Sequence, residues 1–233
     1  MSRFLPILVV LVLAVAGGAW YFTQSPTQEA TATVSTADTP PAADAGASDV
    51  EEADIALVPD RVLGAEDAPV TVIEYASYTC PHCATFHMDQ FKKLRAEYVE
   101  AGKVRLIHRE VYFDRFGLWG GLLANCGGED RYHGISGMLY EKQREWIGSG
   151  DANEIIANLV TLGKTAGLTE DEINACLADE EMATRLVATY QTHAEADGIT
   201  ATPTLVINGE KHSNMGYAAL KEIIDAELAG QDG

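Results

Sequence analysis

A chain of 233 residues, 47% of them hydrophobic, is long enough for one ordinary globular domain with additional segments. Its formal net charge of −19, from 16 basic and 35 acidic side chains, repels phosphate backbones and argues against nucleic-acid binding. The four cysteines allow up to two disulfides if the compartment is oxidising: Cys80, Cys83, Cys126 and Cys176.

The N-terminal segment, residues 1–22, is an export signal by its pattern. Residues 4–22 carry no charge, and after Arg3 no Lys or Arg occurs before Arg61, which keeps the N-terminus inside and exports the rest. Ala14-Val15-Ala16 would suit cleavage as a signal peptide. The apolar run is also nearly long enough to span a bilayer, so an uncleaved membrane anchor stays open. Both interpretations predict a periplasmic domain, soluble or tethered to the inner membrane.

Residues 23–54 form a second, polar segment. They are rich in Ala, Thr, Ser, Pro and Asp and nearly lack large aliphatic side chains. Such a stretch cannot bury enough apolar surface to offset the entropy of ordering it. We therefore expect a disordered acidic linker between the N-terminal segment and the folded domain.

The folded part begins near residue 55 with a strand–helix–strand unit. A short edge strand is expected over 56–58, and the β-branched run 69–75 predicts a buried central strand. Apolar residues at helical spacing then predict a helix over 80–100, followed by a second strand over 104–113. This order favours a right-handed parallel crossover.

A block of helices follows, and then the strand pattern returns. The predicted helices are 118–126, 135–146, 154–163 and 170–190, the last with a possible capping box of Thr169 and Glu172. A strand over 203–207, a hairpin turn at Asn208-Gly209, a strand over 210–213 and a helix over 217–228 complete the chain. The predicted organisation is an α/β core in two parts, 55–113 and 191–233, with an inserted helical domain, 114–190.

One motif carries chemistry: Cys80-Pro81-His82-Cys83 follows a buried strand and opens a helix. Two cysteines so spaced on a first helical turn bring their sulfurs close enough to bridge. Free N–H groups and the helix dipole stabilise an anion at Cys80, Pro81 suits the first turn, and His82 can add positive charge. These effects lower the pKa of Cys80, while Cys83 is expected to be more buried and to act as the resolving thiol.

With these features the sequence resembles the DsbA-like branch of the thioredoxin superfamily, over about residues 55–230. The Cys-Pro-His-Cys sequence is the one associated with DsbA, and the helical block matches the domain inserted into the thioredoxin fold of this family. The resemblance implies that Pro203, in Thr202-Pro203-Thr204, is cis and faces the active site. It also implies that Glu74, six residues before Cys80, is a buried acidic residue.

Taken from the residues alone, these last positions are more ambiguous. A Thr-Pro before an apolar strand commonly marks only a strand start. If Glu74 is buried, it needs a partner or a raised pKa and could relay a proton to Cys83; it could also simply point to solvent. His108, on the second strand, could face Glu74, and His87 is more typical of core or surface than of a ligand.

Cys126 and Cys176 lie in the helical block, far apart in sequence and without a CxxC neighbour. In an oxidising compartment we expect them to form a structural disulfide, because free thiols there would be liable to exchange. Two separate buried thiols are the alternative. Catalysis at this pair is not expected.

The predicted function is a thiol–disulfide oxidoreductase, an oxidase that introduces disulfides into unfolded exported proteins at Cys80 and Cys83. No metal or organic cofactor is expected, a membrane partner must regenerate the pair, and we expect a monomer. The nearest rival is a disulfide isomerase or reductase at the same site, which Thr202 before the proline would also fit. A rival of another class is a carrier that holds Cu(I) between the two sulfurs.

Overall fold

The computed structural model describes residues 55–231, which fall within one compact unit. The predicted signal or anchor at 1–22 and the predicted linker at 23–54 lie outside the described residues. Among the helices of residues 55–231, none combines the length and apolar character needed to cross a bilayer.

Five strands form one mixed sheet: β1 Arg61–Leu63, β2 Val70–Ala76, β3 Val104–Glu110, β4 Thr204–Ile207 and β5 Glu210–Ser213. Their order across the sheet is β1-β3-β2-β4-β5. The central pair β2 and β3 is parallel, as predicted, and the other neighbours are antiparallel. The register places Glu74 of β2 directly opposite His108 of β3.

The predicted edge strand over 56–58 is wrong: the edge strand β1 begins after Pro59, at Arg61. The backbone of the expected segment bonds to a helix instead. The Val58 N–H donates to the Thr189 hydroxyl at 2.8 Å, and the Arg185 guanidinium donates to the Ala56 carbonyl at 2.9 Å. These groups are therefore unavailable for a strand ladder.

The helix predicted over 80–100 is present as one continuous run, α1, from Pro81 to Val99. It consists of α-helix Pro81–Phe86, π-helix His87–Phe91, α-helix Lys92–Leu94 and π-helix Arg95–Val99. π-Helical turns are rare in proteins, and those that occur are often found at functional sites. The first of them carries His87, which faces the core beneath the motif.

Six helices fill the middle of the chain: α2 Arg115–Cys126, α3 Gly128–Glu141, α4 Gln143–Ile147, α5 Ala152–Thr165, α6 Glu170–Leu177 and α7 Glu180–Ala196. Two of the helices predicted from the sequence, 135–146 and 170–190, are each divided into two shorter helices in the structure. The break inside 135–146 falls at Lys142, and the break inside 170–190 falls at Asp179, whose carboxylate caps the next helix by accepting from Met182 N–H. The capping box of Thr169 and Glu172 is confirmed.

The expected disulfide is present: Cys126, the last residue of α2, is bonded to Cys176, in the last turn of α6. The C-terminal elements also follow the prediction. Asn208 and Gly209 adopt positive φ angles of 47° and 88° in the hairpin turn, and α8 runs over Tyr217–Gln231.

Two hydrophobic clusters explain where the motif lies. One packs α1 and α8 against the sheet through residues such as Phe86, Leu94 and Ile224. The other is the core of the helical block, and it extends to Cys83 and the half-buried Cys80. The motif therefore sits where the inserted helices pack against the start of α1.

Candidate active site

The end of β2 delivers Cys80 to the N-terminus of α1. After Ala76 the chain turns, with the Cys80 N–H donating to the Ser77 carbonyl at 3.1 Å. Cys80 is the N-cap, with extended backbone angles, and Pro81 occupies the first helical position. No side chain caps α1, so the N–H groups of its first turn face the sulfur of Cys80.

The two thiols differ in exposure and in acidity. Cys80 is half-buried and Cys83 is fully buried. The pKa of Cys80 is lowered to about 5, first because the Cys83 thiol donates a hydrogen bond to it, and further by Thr202 and by the backbone N–H groups of Cys83 and His82, against the opposing effect of burial. Cys80 is therefore a thiolate at neutral pH.

The same hydrogen bond acts in the opposite direction on its donor. The pKa of Cys83 is raised far above its usual value, first by donation to the Cys80 sulfur and then by burial. The sulfurs are thus divided into an exposed anion and a buried neutral thiol. This division matches the expected attacking and resolving roles. His82 contributes through its backbone N–H, and the effect of its exposed imidazole stays a prediction.

Thr202 and Pro203 lie beside the sulfurs. The Thr202–Pro203 bond is cis, which confirms the geometry implied by the family resemblance. The Thr202 carbonyl lies 3.5 Å from Cys80 Sγ, and Pro203 is buried. The buried Thr202 hydroxyl oxygen makes no hydrogen bond of regular distance and angle within residues 55–231. It lies close enough to both sulfurs to lower the pKa of each thiol by donating towards it.

Glu74 is completely buried, so the alternative that it points to solvent is wrong. Its partner is His87, whose Nε2 lies 3.1 Å from Glu74 Oε2. The other carboxylate oxygen, Oε1, has no hydrogen-bond partner in the described part of the chain. His87 follows Cys83 by four residues, about one helical turn, which places it on the same side of α1 as the buried thiol.

His108 completes this cluster from β3. Its Nδ1 lies 2.7 Å from the Tyr132 hydroxyl, and its Nε2 lies 3.0 Å from the Tyr140 hydroxyl. Burial holds the pKa of His108 well below its usual value, so the ring is neutral. Potential ligand atoms of Glu74, His87 and His108 lie within 4.8 Å of one another, as in a metal site. Both His108 nitrogens are already hydrogen-bonded to tyrosine hydroxyls, however, so a metal ion could bind this ring only if one of those bonds were broken.

A second carboxylate, the half-buried Glu110, lies at the end of β3, and no signal in the sequence indicated it. It accepts hydrogen bonds from the hydroxyls of Tyr78, Tyr112 and Tyr132. Burial raises its pKa. Tyr78 precedes the motif and Tyr132 belongs to α3, so this carboxylate joins the sheet, the active-site turn and the helical block.

Gln143, the first residue of α4, is a further contact that the sequence did not indicate. Its side-chain amide donates to the carbonyl of Tyr78 at 2.8 Å and to the carbonyl of Cys80 at 2.9 Å. One polar residue on the inner side of a helix gives no sequence signal that distinguishes it from a surface glutamine. Only the packing of α4 against the turn before Cys80 reveals it.

A groove of about 620 Å³ runs beside the motif, between α1 and the segment 140–145. Its lining includes the apolar Pro81, Ala84 and the exposed Met88 together with charges of both signs, such as Asp89 and Arg144. The accessible side of the motif therefore adjoins a groove of mixed apolar and charged character.

The chain is similar in sequence to a known protein family and to several characterised or named proteins. The family model described as Thioredoxin matches residues 57–226. A putative protein-disulfide oxidoreductase of Rickettsia bellii is 29% identical over 170 residues, which cover 72% of this chain and 64% of that protein. Disulfide bond formation protein D of Bacillus subtilis is 29% identical over 182 residues, covering 73% of this chain and 78% of that protein. The match thus spans less than two thirds of the rickettsial relative.

Solved structures agree. The alpha-DsbA1 structure of Wolbachia pipientis has a TM-score of 0.70 and 26% identity, covering 76% of this chain and 94% of that chain. The oxidised BdbD structure of Bacillus subtilis has a TM-score of 0.65 and 27% identity, covering 73% of this chain and 93% of that chain. These matches confirm the fold class expected from the sequence, a thioredoxin fold with a helical insertion.

Proposed function

This chain belongs to the Thioredoxin family, and on that premise we propose that it is a thiol–disulfide oxidoreductase of DsbA type that acts as an oxidase of exported proteins. The observation that carries the proposal is the pKa of Cys80, lowered to about 5. Stabilising the Cys80 thiolate lowers the free energy of the reduced enzyme relative to the enzyme with the Cys80–Cys83 disulfide. The Cys80–Cys83 disulfide is correspondingly easy to reduce, and it oxidises other thiols.

The proposed reaction has two exchange steps. A substrate thiolate attacks Cys80 Sγ, a mixed disulfide forms, and the Cys83 sulfur leaves and takes up a proton. A second substrate thiolate then attacks the substrate sulfur of the mixed disulfide, and Cys80 leaves as a thiolate. The substrate loses two electrons and two thiol protons. The enzyme keeps the electrons and one proton, on Cys83, and the other proton goes to solvent.

Neighbouring residues support each step in this scheme. The buried Thr202 hydroxyl, which has no regular hydrogen-bond partner in the described part of the chain, can donate to the leaving Cys80 sulfur, and Pro203 beside it brings no N–H to the site. Glu74 is the proposed proton donor and acceptor for Cys83, because one of its oxygens contacts His87 and the other has no hydrogen-bond partner among residues 55–231. No cofactor enters the scheme, and a membrane redox partner that accepts two electrons would restore the disulfide.

The proposed location is the periplasm, with the chain monomeric and either soluble or tethered by residues 4–22. The support comes from the charge-free N-terminal segment and from the Cys126–Cys176 disulfide, which is a bond typical of oxidising compartments. Fractionation of cells that express the full chain, with the mass of the mature protein, tests the location and the cleavage together.

The oxidase proposal is tested by refolding. Oxidised chain is added in stoichiometric amounts to a reduced, unfolded protein that needs disulfides, and the bonds formed are counted by mass spectrometry. An oxidase forms bonds quickly and becomes reduced itself. Rapid repair of a scrambled substrate by the reduced chain, with poor oxidation by the disulfide form, would instead support the isomerase. Stoichiometric Cu(I) retention without thiol exchange would support the carrier.

A further inference from the structure

We propose that Gln143, from the inserted helical block, is a positioning residue that holds the Cys80 thiolate in its stabilising geometry. Its amide donates to the carbonyls of both Tyr78 and Cys80, at 2.8 and 2.9 Å. These two carbonyls flank the last turn before α1, and one of them belongs to the reactive cysteine itself. This inference rests on the proposed thiol chemistry of Cys80.

The bond to the Tyr78 carbonyl is buried, and the bond to the Cys80 carbonyl is partly buried. Gln143 is 5% exposed and Tyr78 is 1% exposed, whereas Cys80 is half-buried. A hydrogen bond to a buried carbonyl cannot be replaced by solvent when the donor is removed, so the turn must then move to recover a partner. The Cys80 carbonyl keeps its helical donors, Cys83 N–H and Ala84 N–H, whereas Gln143 is the donor described for the Tyr78 carbonyl.

The orientation of this turn determines which N–H groups face the sulfur. The Cys80 thiolate is stabilised by the Cys83 thiol and by the backbone N–H groups of His82 and Cys83. That geometry requires Cys80 to keep its extended N-cap conformation, with φ −81° and ψ 118°. By fixing the carbonyls on both sides of Thr79, Gln143 holds the peptide planes that lead into this conformation.

Other contacts hold the same turn less directly. The Cys80 N–H donates to Ser77, and the Thr79 hydroxyl donates to Asp114 at 2.7 Å. Both act from the sheet side and from the start of α2, and neither touches the Cys80 carbonyl. Gln143 of α4 is the described side chain that donates to the backbone carbonyls of Tyr78 and Cys80. The helical block thereby sets the acidity of a thiol that belongs to the thioredoxin core.

A matched control lies in the next helix. Asn158 of α5 also donates its amide to two backbone carbonyls, those of Glu145 and Trp146, at 3.2 and 3.4 Å. It therefore supports α4 in a similar way, but it has no contact with the turn before Cys80. Comparing a variant of Asn158 with a variant of Gln143 therefore separates a general loss of stability from a change in the pKa of Cys80.

The experiment compares wild-type chain with Gln143→Leu, Gln143→Glu and Asn158→Leu. The pKa of Cys80 is measured from thiolate absorbance near 240 nm against pH, and the redox equilibrium is measured with glutathione; thermal unfolding is followed in parallel. We expect Gln143→Leu to raise the pKa by about half a unit to one unit, from the loss of one or two hydrogen bonds. The glutathione equilibrium should move about threefold to tenfold towards the protein disulfide.

Gln143→Glu should raise the pKa at least as much, because a carboxylate cannot donate to the two carbonyls and adds negative charge beside the thiolate. Asn158→Leu should lower the unfolding temperature and leave the pKa unchanged. Lower stability of the Gln143 variants with an unchanged pKa and redox equilibrium would overturn the inference. If Gln143→Leu does not fold, Gln143→Asn, which keeps the amide on a shorter side chain, gives the same readout. An ordinary pKa in the wild type would instead contradict the proposed function.

Discussion

The two cysteine pairs of this chain occupy opposite ends of helices. Cys80 is the N-cap of α1, and Cys83 lies in its first turn. Cys126 is the last residue of α2, and Cys176 is the second-last residue of α6. Exposure does not separate the pairs, because Cys80, Cys126 and Cys176 are all half-buried. The helix ends do, since an N-terminus stabilises a thiolate and a C-terminus destabilises it.

This difference explains why one pair can cycle and the other can hold the fold. A sulfur that is stable as a thiolate is a good leaving group, so a disulfide at Cys80 is readily attacked and reduced. Thiolates at Cys126 and Cys176 would face the carbonyl ends of their helices, so this bond is resistant. It also closes a loop across a sequence separation of 50 residues, whereas Cys80 and Cys83 close one helical turn.

The largest expected effect comes from removing the reactive sulfurs. Cys80→Ser should abolish disulfide transfer to the limit of detection, because no nucleophile or leaving group remains. Incubated with a substrate that already contains a disulfide, Cys83→Ser should accumulate mixed disulfides, because the Cys80 thiolate attacks the substrate bond and the buried thiol that would resolve the adduct is missing. Transfer by Cys80→Ser in the refolding reaction and adducts of Cys83→Ser with the disulfide substrate are both read by non-reducing gels. If Cys80→Ser transferred disulfides as well as the wild type does, Cys80 would not be the reactive cysteine.

The structural pair should affect stability instead. Replacing Cys126 and Cys176 together by Ser should lower the free energy of unfolding by about 4 kcal/mol in the chain-entropy model. Disulfide transfer at a temperature where the variant is folded should stay near the wild-type rate. Mild reductant followed by thiol labelling should mark two cysteines in the wild type. If all four cysteines were labelled together, the Cys126–Cys176 bond would not be more resistant to reduction than the active-site pair.

The pH dependence of Cys80 gives the next effect. With a pKa of about 5, Cys80 should react with iodoacetamide at neutral pH and lose reactivity only as the pH falls through about 5. A cysteine thiol in the unfolded chain has a pKa near 8.5, which is about three and a half units above the pKa of Cys80 in the folded protein. Because the folded pKa is the lower one, ionisation stabilises reduced folded protein fully above about pH 8.5, and this contribution falls with pH and is gone below about 5. Labelling rates and denaturant unfolding across this range test both statements, and a reaction midpoint near 8.5 would contradict them.

The smallest expected effect concerns the free hydroxyl beside the sulfurs. Thr202→Val keeps the shape of the side chain and removes its donor, so the pKa of Cys80 should rise by less than about one unit. Thr204→Val is the control, because the Thr204 hydroxyl donates to the Ala201 carbonyl and not to sulfur. The pKa should be unchanged in that variant. Equal shifts in both would show that the loop as a whole, and not the hydroxyl, sets the acidity.

Local patterns predicted the parts of this molecule that depend on neighbours in sequence. Cys80-Pro81-His82-Cys83 after a β-branched strand, and Asn208-Gly209 between two strands, carry their own geometry and were identified correctly. The pairing of Cys126 with Cys176 followed from the number of cysteines and the expected compartment.

Contacts between distant elements could not be predicted in the same way. Nothing in the sequence near Gln143 indicates that its amide reaches the carbonyl of Cys80, 63 residues earlier. The pairing of Glu74 with His87 also needed the structure, because it depends on how α1 packs on β2. The sequence does not reveal the start of the edge strand, because Val58 bonds to a threonine of α7, a partner that lies 131 residues away.

The reduction potential of the Cys80–Cys83 pair tests the central claim most directly. Reduced and oxidised chain are equilibrated with glutathione buffers of known ratio, quenched with acid and separated by mass after alkylation, with Cys126 and Cys176 intact. If the lowered pKa of Cys80 makes the pair an oxidant, the potential lies above about −180 mV, well over the value of about −270 mV for thioredoxin. A potential near −270 mV would show that the pair prefers to stay oxidised, and it would contradict the assignment of this chain as an oxidase.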